Sequence, residues 1–307
     1  MNKKLKNNRK IIQLTKNRIK DFIDIILELG KVKITIFVSF STFIGYVLSK
    51  GSVDLFVLKP ILGVFFLAVS ASALNHLQEK EFDKVMERTK GRPLPSGKVS
   101  VLFVVVFILL FFVLGTLILL NVDLIALLLG WLTFFWYNGV YTPLKKKIAL
   151  AVVPGSLIGA FPPLIGWVSA GGDISNPTGL ALALAFFIWQ IPHFWLLLLL
   201  YDKEYKQAGY PTLTDLFNNE QLKRISFVWI LSLFTSSLFI PLFNFPKNLI
   251  ATGLIIIMGV WLVYNSKSLL LKNFDKKNIR NNFMKLNIYV LLVVLILFID
   301  KLYLQSI

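Results

Sequence analysis

The sequence predicts an all-α integral membrane protein: a bundle of nine transmembrane helices, N-terminus inside, C-terminus outside, with a site opening at the cytoplasmic face. Three observations carry this. The 307 residues are 56% hydrophobic and 16% charged, with 27 Phe, more apolar surface than a soluble core absorbs. Nine apolar runs are long enough to cross, or nearly cross, a hydrocarbon layer of about 30 Å. Lys and Arg crowd into alternate loops, as they do on the inner side of membrane proteins.

In order, the runs fall at 34–48, 58–75, 101–120, 122–138, 148–168, 179–200, 226–243, 249–265 and 286–299. The last is cut short by Asp300 and Lys301. With the N-terminus inside, the inner segments 1–33, 76–98, 139–147, 201–224 and 266–285 hold 29 of the 33 Lys and Arg. The outer side holds Lys50, Lys59, Lys247 and Lys301. The net charge of +17 is therefore an orientation signal, and no base-reading motif accompanies it to suggest a nucleic-acid partner. The lack of Cys excludes disulfides and thiolate metal sites.

Residues 1–20 hold eight bases and no acid, as a mitochondrial presequence does. Lys outnumbers Arg there and Ser is absent, which favours a multi-pass protein of the bacterial inner membrane over the mitochondrial one. Ile12, Ile19, Phe22, Ile23, Ile26 and Leu29 have helical spacing beside bases, predicting a helix on the inner membrane surface. No linker divides the chain, so the organisation expected is a basic N-terminal region, 1–33, and a single membrane domain, 34–307. The stretch VVPGSLIGAFPPLIGW, 152–167, reads as a kinked packing helix.

Acids gather in NHLQEKEFDKVMERTKGRPLPSG, residues 75–97. Asn75, Glu79, Asp83 and Glu87 stand at i, i+4, i+8 and i+12, so the first three at least share one helical face just past the second span. Like charges at that spacing repel. Beyond the membrane they are expected to be solvated, relieved by bases or by a cation. Ordinary surface pairs, Lys80 with Asp83, Glu81 with Lys84 and Lys84 with Glu87, are the alternative. A second polar loop, YDKEYKQAGYPTLTDLF (201–217), brings Asp202 and Glu204 to the same face, and YNGVYTPLKKK (137–147) adds Tyr137, Asn138, Tyr141 and Lys145. Two carboxylate groups edged by Arg88, Lys90, Arg92 and Lys145 suit a diphosphate carried with Mg²⁺, which takes oxygen ligands. The mouth of a helix bundle suits a substrate with a charged head and an apolar tail. The two histidines, His76 and His193, read most simply as packing residues.

At these residues the chain resembles the UbiA-type intramembrane prenyltransferase superfamily, whose first motif is Asn, acids at i+4 and i+8, then Arg-Thr and Arg-Pro-Leu. Here these are Asn75, Glu79, Asp83, Arg88, Thr89, Arg92, Pro93 and Leu94. GAFPPLIGW (159–167), WQIPHFWLLLL (189–199) and EYKQAGYPTL (204–213) look like its protoheme IX farnesyltransferase branch. The resemblance implies transfer of a farnesyl group from farnesyl diphosphate to a vinyl group of haem B, giving haem O. It implies catalysis by Asn75, Glu79, Asp83, Asp202 and Glu204, with Mg²⁺ on Glu79, Asp83 and Glu204. Diphosphate would meet Arg88, Arg92, Lys145 and Lys33, and haem would meet His193, His76, Trp195 and Tyr141. Partners implied are the lipid bilayer and haem A synthase or cytochrome oxidase assembly proteins.

The chain departs from the pattern in three places. Glu79 stands where many members have Asp. Lys203 and Glu204 stand where the family pairs acids, leaving the roles of Lys203 and Asp202 open. Lys31-Val32-Lys33 replaces Lys-Pro-Arg. Polyprenyl transfer to an aromatic quinone precursor is the alternative activity. A transporter is disfavoured, because the spans are nearly free of charge.

Overall fold

A computed structural model describes residues 18–303 apart from 244, 247 and 272–274. Residues 1–17 of the basic N-terminal region, and the outer Lys247, lie outside the described residues. Among the described residues nine helices are long and apolar enough to cross a membrane: Val32–Lys50, Leu55–Gln78, Val101–Leu120, Leu124–Leu144, Ala149–Ser169, Pro177–Leu200, Asn219–Leu242, Leu249–Leu271 and Lys276–Leu302. They are the first to ninth spans below, and no strand occurs among the described residues.

Polar residues set where the spans begin. Ser100, Asp123, Asn176, Asn218 and Asn248 cap the third, fourth, sixth, seventh and eighth, each accepting a backbone N–H of the first turn, a satisfaction that helix starts need and apolar residues cannot give. The ninth span starts ten residues before its apolar run, because its polar first turns are tied to the eighth span. Asn278 and Asn282 bond to Ser268, and Lys285 donates to Asn265.

One apolar cluster draws on every span, with Ile44, Leu67, Leu119, Leu127, Ile165, Ile191, Leu233, Ile255 and Leu286 from the first to the ninth in turn. Leu102, Leu117, Leu249 and Ile250 stay exposed, as side chains facing lipid do. The first and fifth spans meet backbone to backbone: a Cβ on Gly45 would lie 1.8 Å from the Pro163 oxygen, and one on Gly166 1.9 Å from the Thr42 oxygen. Small residues permit such an approach between membrane helices. The fifth span is broken, as its Pro- and Gly-rich sequence suggests, but at Ser156; Pro162 and Pro163 sit inside the helix that follows.

A helix over 18–29 precedes the first span. Ile19, Phe22, Ile23 and Leu27 are exposed along it, whereas Ile26 and Leu29 pack on Val69, Ala73, Leu94 and Val104. Its apolar side is thus shared between the surface and the bundle.

Candidate active site

The acidic ladder straddles a helix break. The second span ends at Gln78, and a short helix, Lys80–Val85, follows. The i+4 backbone bonds run through the break, from Glu79 N to Asn75 O at 3.0 Å and from Asp83 N to Glu79 O at 2.8 Å, so the three side chains stay in register. The chain leaves the helix at Met86, and Glu87 turns outward to Lys90 at 2.6 Å. Of the surface pairs expected, Glu81 with Lys84 is present.

Solvation is where the sequence expectation fails. Asn75, Glu79 and Asp83 are 0%, 5% and 3% exposed, and burial on this scale is tolerable because each meets a partner. Lys31 Nζ donates to Asn75 Oδ1 at 2.7 Å, and Asn75 Nδ2 to Thr142 Oγ1 at 3.2 Å. Glu79 Oε1 receives Lys145 Nζ at 2.6 Å and the Tyr210 hydroxyl at 2.8 Å. Arg92 Nη1 reaches both oxygens of Asp83, at 2.8 and 2.7 Å.

Electrostatics follow from this packing. Burial pushes the Glu79 carboxyl up, but the charges of Lys145 and Lys31 and the bonds from Lys145 and Tyr210 hold it below its ordinary value. Burial lowers Lys145, yet the facing Glu79 carboxylate raises it overall. The Tyr210 hydroxyl is pushed up by burial and then by Glu79. Lys31 drops to about 7, through burial and the nearby charges of Arg92 and Lys145.

Two fourth-span features serve the same mouth. Residues Trp136–Tyr141 form a π-helical turn, a geometry frequent at functional sites. It stacks Tyr137 on Tyr141 at 5.9 Å and sets Lys145 Nζ 5.3 Å above the Tyr141 ring. The Tyr141 ring also fills the space over Gly155, where a Cβ would lie 2.4 Å away.

In the second loop, Thr214 donates to Asp202 at 2.7 Å, Lys206 pairs with Asp215 at 2.7 Å, and Lys203 is exposed. Glu204 Oε2 is buried without a hydrogen-bond partner. The aromatic series Phe82, Tyr210 and Tyr205, with ring separations of 4.7 and 5.4 Å, joins the two loops.

Several sequence assignments shift. Lys33 is exposed, and its neighbour Lys31 enters the cluster instead. Lys31 has φ 45° and ψ 46° and is the one non-glycine with positive φ among the described residues, a strained joint between the 18–29 helix and the first span. Arg88 is exposed, over the Tyr201 ring at 5.1 Å. Glu79, Asp83 and Glu204 do not form one set: among the described residues no three His, Asp or Glu side chains are close enough to hold a metal ion. The donor chemistry nonetheless fits a hard divalent cation, since the available groups are carboxylate oxygens and the buried Oε2 of Glu204 is an acceptor without a hydrogen-bond partner.

The residues assigned to the acceptor separate by depth and access. His76 has no exposed surface and both ring nitrogens lack hydrogen bonds, so it has no face left for a porphyrin. Trp195 is 2% exposed, with an unpartnered Nε1. His193 is partly buried, its Nδ1 2.8 Å from Asn287 Oδ1. Sequence reasoning missed Lys31, Thr142, Tyr210 and Asn287 as partners; of these only Asn287 lay outside the motif stretches it singled out.

The UbiA prenyltransferase family matches residues 38–289. The chain belongs to the UbiA prenyltransferase family. It is 40% identical over 185 residues to a protoheme IX farnesyltransferase of Cytophaga hutchinsonii, a match spanning 59% of this chain and 64% of that one. It is 30% identical over 283 residues to the protoheme IX farnesyltransferase of Flavobacterium psychrophilum, spanning 89% and 93%. Among solved structures, a digeranylgeranylglyceryl phosphate synthase superposes with a TM-score of 0.74 at 22% identity, over 92% of this chain and 99% of that one. A UbiA homolog from Archaeoglobus fulgidus bound to GPP and Mg²⁺ gives 0.67 at 16% identity, over 90% and 99%. At such identities the superpositions speak for the UbiA fold alone.

Proposed function

We propose that this UbiA-family enzyme transfers the farnesyl group of farnesyl diphosphate to a vinyl group of haem B, giving haem O. The observation that carries the reading is the meeting of Glu79 with Lys145 and Tyr210, which joins the first acidic loop, the 137–147 segment and the second loop at one mouth of an apolar bundle. The naming of its relatives supports haem as the acceptor.

Lys145, Arg92 and Lys31 supply positive charge for the diphosphate; Glu79, Asp83 and Glu204, which do not meet as one set, would each offer Mg²⁺ a carboxylate oxygen, with diphosphate oxygens and water completing its shell. When bound, Mg²⁺ neutralises charge building on the departing diphosphate. Breaking the C1–O bond leaves an allylic farnesyl cation with its apolar tail among the spans. Tyr137 and Tyr141 present π-faces near the mouth, which stabilise a cation. The vinyl terminal carbon forms the new C–C bond, the positive charge moves to the carbon beside the porphyrin, and water adds there and loses a proton, leaving the hydroxyl. No enzyme nucleophile is needed.

On this reading the site opens at the cytoplasmic face of a bacterial inner membrane, N-terminus inside; the excess of Lys and Arg in alternate loops supports the orientation. Haem A synthase or cytochrome oxidase assembly proteins are the proposed recipients of the product. Expression in a host lacking haem O, followed by pigment extraction and mass analysis, tests the activity. Haem O is the expected product. A prenylated aromatic quinone precursor in its place would overturn the acceptor and keep the reaction class.

A further inference from the structure

His193 and Asn287 form a second polar site, deeper than the acidic loops. His193 precedes Asp202 by nine residues on a nearly continuous helix, roughly 14 Å along its axis. Asn287, on the ninth span, accepts from Trp189 Nε1 at 3.2 Å, and the same oxygen lies 2.8 Å from His193 Nδ1. The Asn287 amide nitrogen donates to the Phe283 carbonyl at 2.7 Å.

These bonds fix which end of the amide is oxygen. Turned over, it would set its NH₂ against the indole N–H and its oxygen against a carbonyl. A carbonyl oxygen only accepts, so Nδ1 of His193 carries the hydrogen, and in the neutral ring Nε2 keeps the lone pair. Among the described residues no hydrogen bond to Nε2 stands beside that of Nδ1, and the ring is partly exposed. Trp189, Phe194 and Phe283 hold the ring at centroid distances of 5.1, 5.2 and 4.8 Å. A metal-ligating imidazole typically has this arrangement, its second N–H given to a carbonyl or carboxylate oxygen.

Resting on the haem-acceptor reading above, we propose that Asn287 is a positioning residue: it fixes the His193 tautomer so that Nε2 is presented as an axial ligand to the iron of the haem substrate. A porphyrin anchored there by its iron leaves its vinyl-bearing rim to meet the allylic carbon nearer the mouth.

The test is absorption-monitored titration of the purified full chain with ferric protohaem. The wild type is expected to show the Soret shift of imidazole ligation, and His193→Ala to lose it. Asn287→Leu should weaken haem about tenfold, the lower end for loss of such a supporting contact, and move the Soret band. Asn287→Asp, which still accepts from Nδ1–H, should recover affinity. A purely structural tie between the sixth and ninth spans predicts the reverse: Asn287→Leu lowers the melting temperature and leaves spectrum and affinity alone, which would overturn the inference. If Asn287→Leu does not fold, Asn287→Asp decides alone, because a carboxylate partner strengthens the imidazole donor and must move the band; an unmoved band overturns the proposal. Haem O formation with a spectrum indifferent to His193→Ala removes this inference and keeps the activity. A wild type that makes no haem O from haem B and farnesyl diphosphate removes both.

Discussion

The Tyr210 hydroxyl donates to Glu79 Oε1 at 2.8 Å, closing a contact between loops 131 residues apart. Tyr210 also packs on Phe82 and Tyr205, so Tyr210→Phe removes the bond and spares the packing. A hydrogen bond to a charged group contributes about 1.5–3 kcal/mol, and a tenfold change corresponds to about 1.4 kcal/mol. The melting temperature should fall accordingly while the helical signal holds, and the KM for farnesyl diphosphate should rise roughly tenfold as Glu79 loses its positioning. An unchanged KM would detach Tyr210 from the site.

Glu79→Gln should cost stability as well as turnover, because it leaves Lys145 without its buried charge partner. Breaking a buried pair costs about 3–5 kcal/mol, and the residual exposure of Lys145 argues for the lower end. Glu87→Gln, on an exposed pair, should stay within about 0.5 kcal/mol. The pH dependence has a definite sign. Because the fold holds the Glu79 carboxyl below its ordinary value, its contribution is complete above roughly pH 4.3 and drains away as pH falls through the lowered value. Acid melting curves should therefore separate wild type from Glu79→Gln at neutral pH and bring them together in strong acid. A constant separation would put the charge of Glu79 outside the stability of the fold.

How much of this was legible in the sequence follows from the range of each interaction. Spans are local, so the apolar runs placed most helices; the Ser, Asp and Asn caps that fix their starts emerge with the structure. The ladder Asn75, Glu79 and Asp83 was legible because spacing of four is a helical property. Its burial was not, since Lys145 and Tyr210 arrive from far along the chain. The choice of Lys31 over Lys33 turns on one left-handed residue, which no propensity announces for Lys. Asn287 lies 94 residues beyond His193 in an apolar run without a motif, and only the packing of the ninth span on the sixth brings it into view.

Lys31 should give diphosphate binding a pH dependence near neutrality. Its lowered value of about 7, against about 10.4 in an unfolded chain, means the folded protein binds fewer protons between those limits. This contribution to stability therefore rises with pH across that window, while binding of an anion weakens as the ammonium discharges. Farnesyl diphosphate affinity measured from pH 6 to 9 should fall in the wild type, and Lys31→Arg, which stays charged, should flatten the profile. Parallel profiles would mean that Lys31 does not face the diphosphate.

Arg88 and Arg92 share a motif but not an environment, and their variants should part accordingly. Arg92 covers both oxygens of the buried Asp83, so Arg92→Met strands that carboxylate and should cost about 3 kcal/mol together with turnover. Arg88 lies exposed over Tyr201, a cation–π contact of about 0.5–1 kcal/mol at such a site. Arg88→Met should leave the melting temperature within a few degrees and weaken farnesyl diphosphate binding a few-fold at low salt. An exposed guanidinium acts on an anion through screened charge, and the Debye length shrinks from about 10 Å at 0.1 M to about 3 Å at 1 M. The difference between Arg88→Met and wild type should therefore close as salt rises, while that of Arg92→Met, rooted in a buried pair, should persist. Equal destabilisation by both variants, or an Arg88 effect indifferent to salt, would show that Arg88 holds the diphosphate from inside the site.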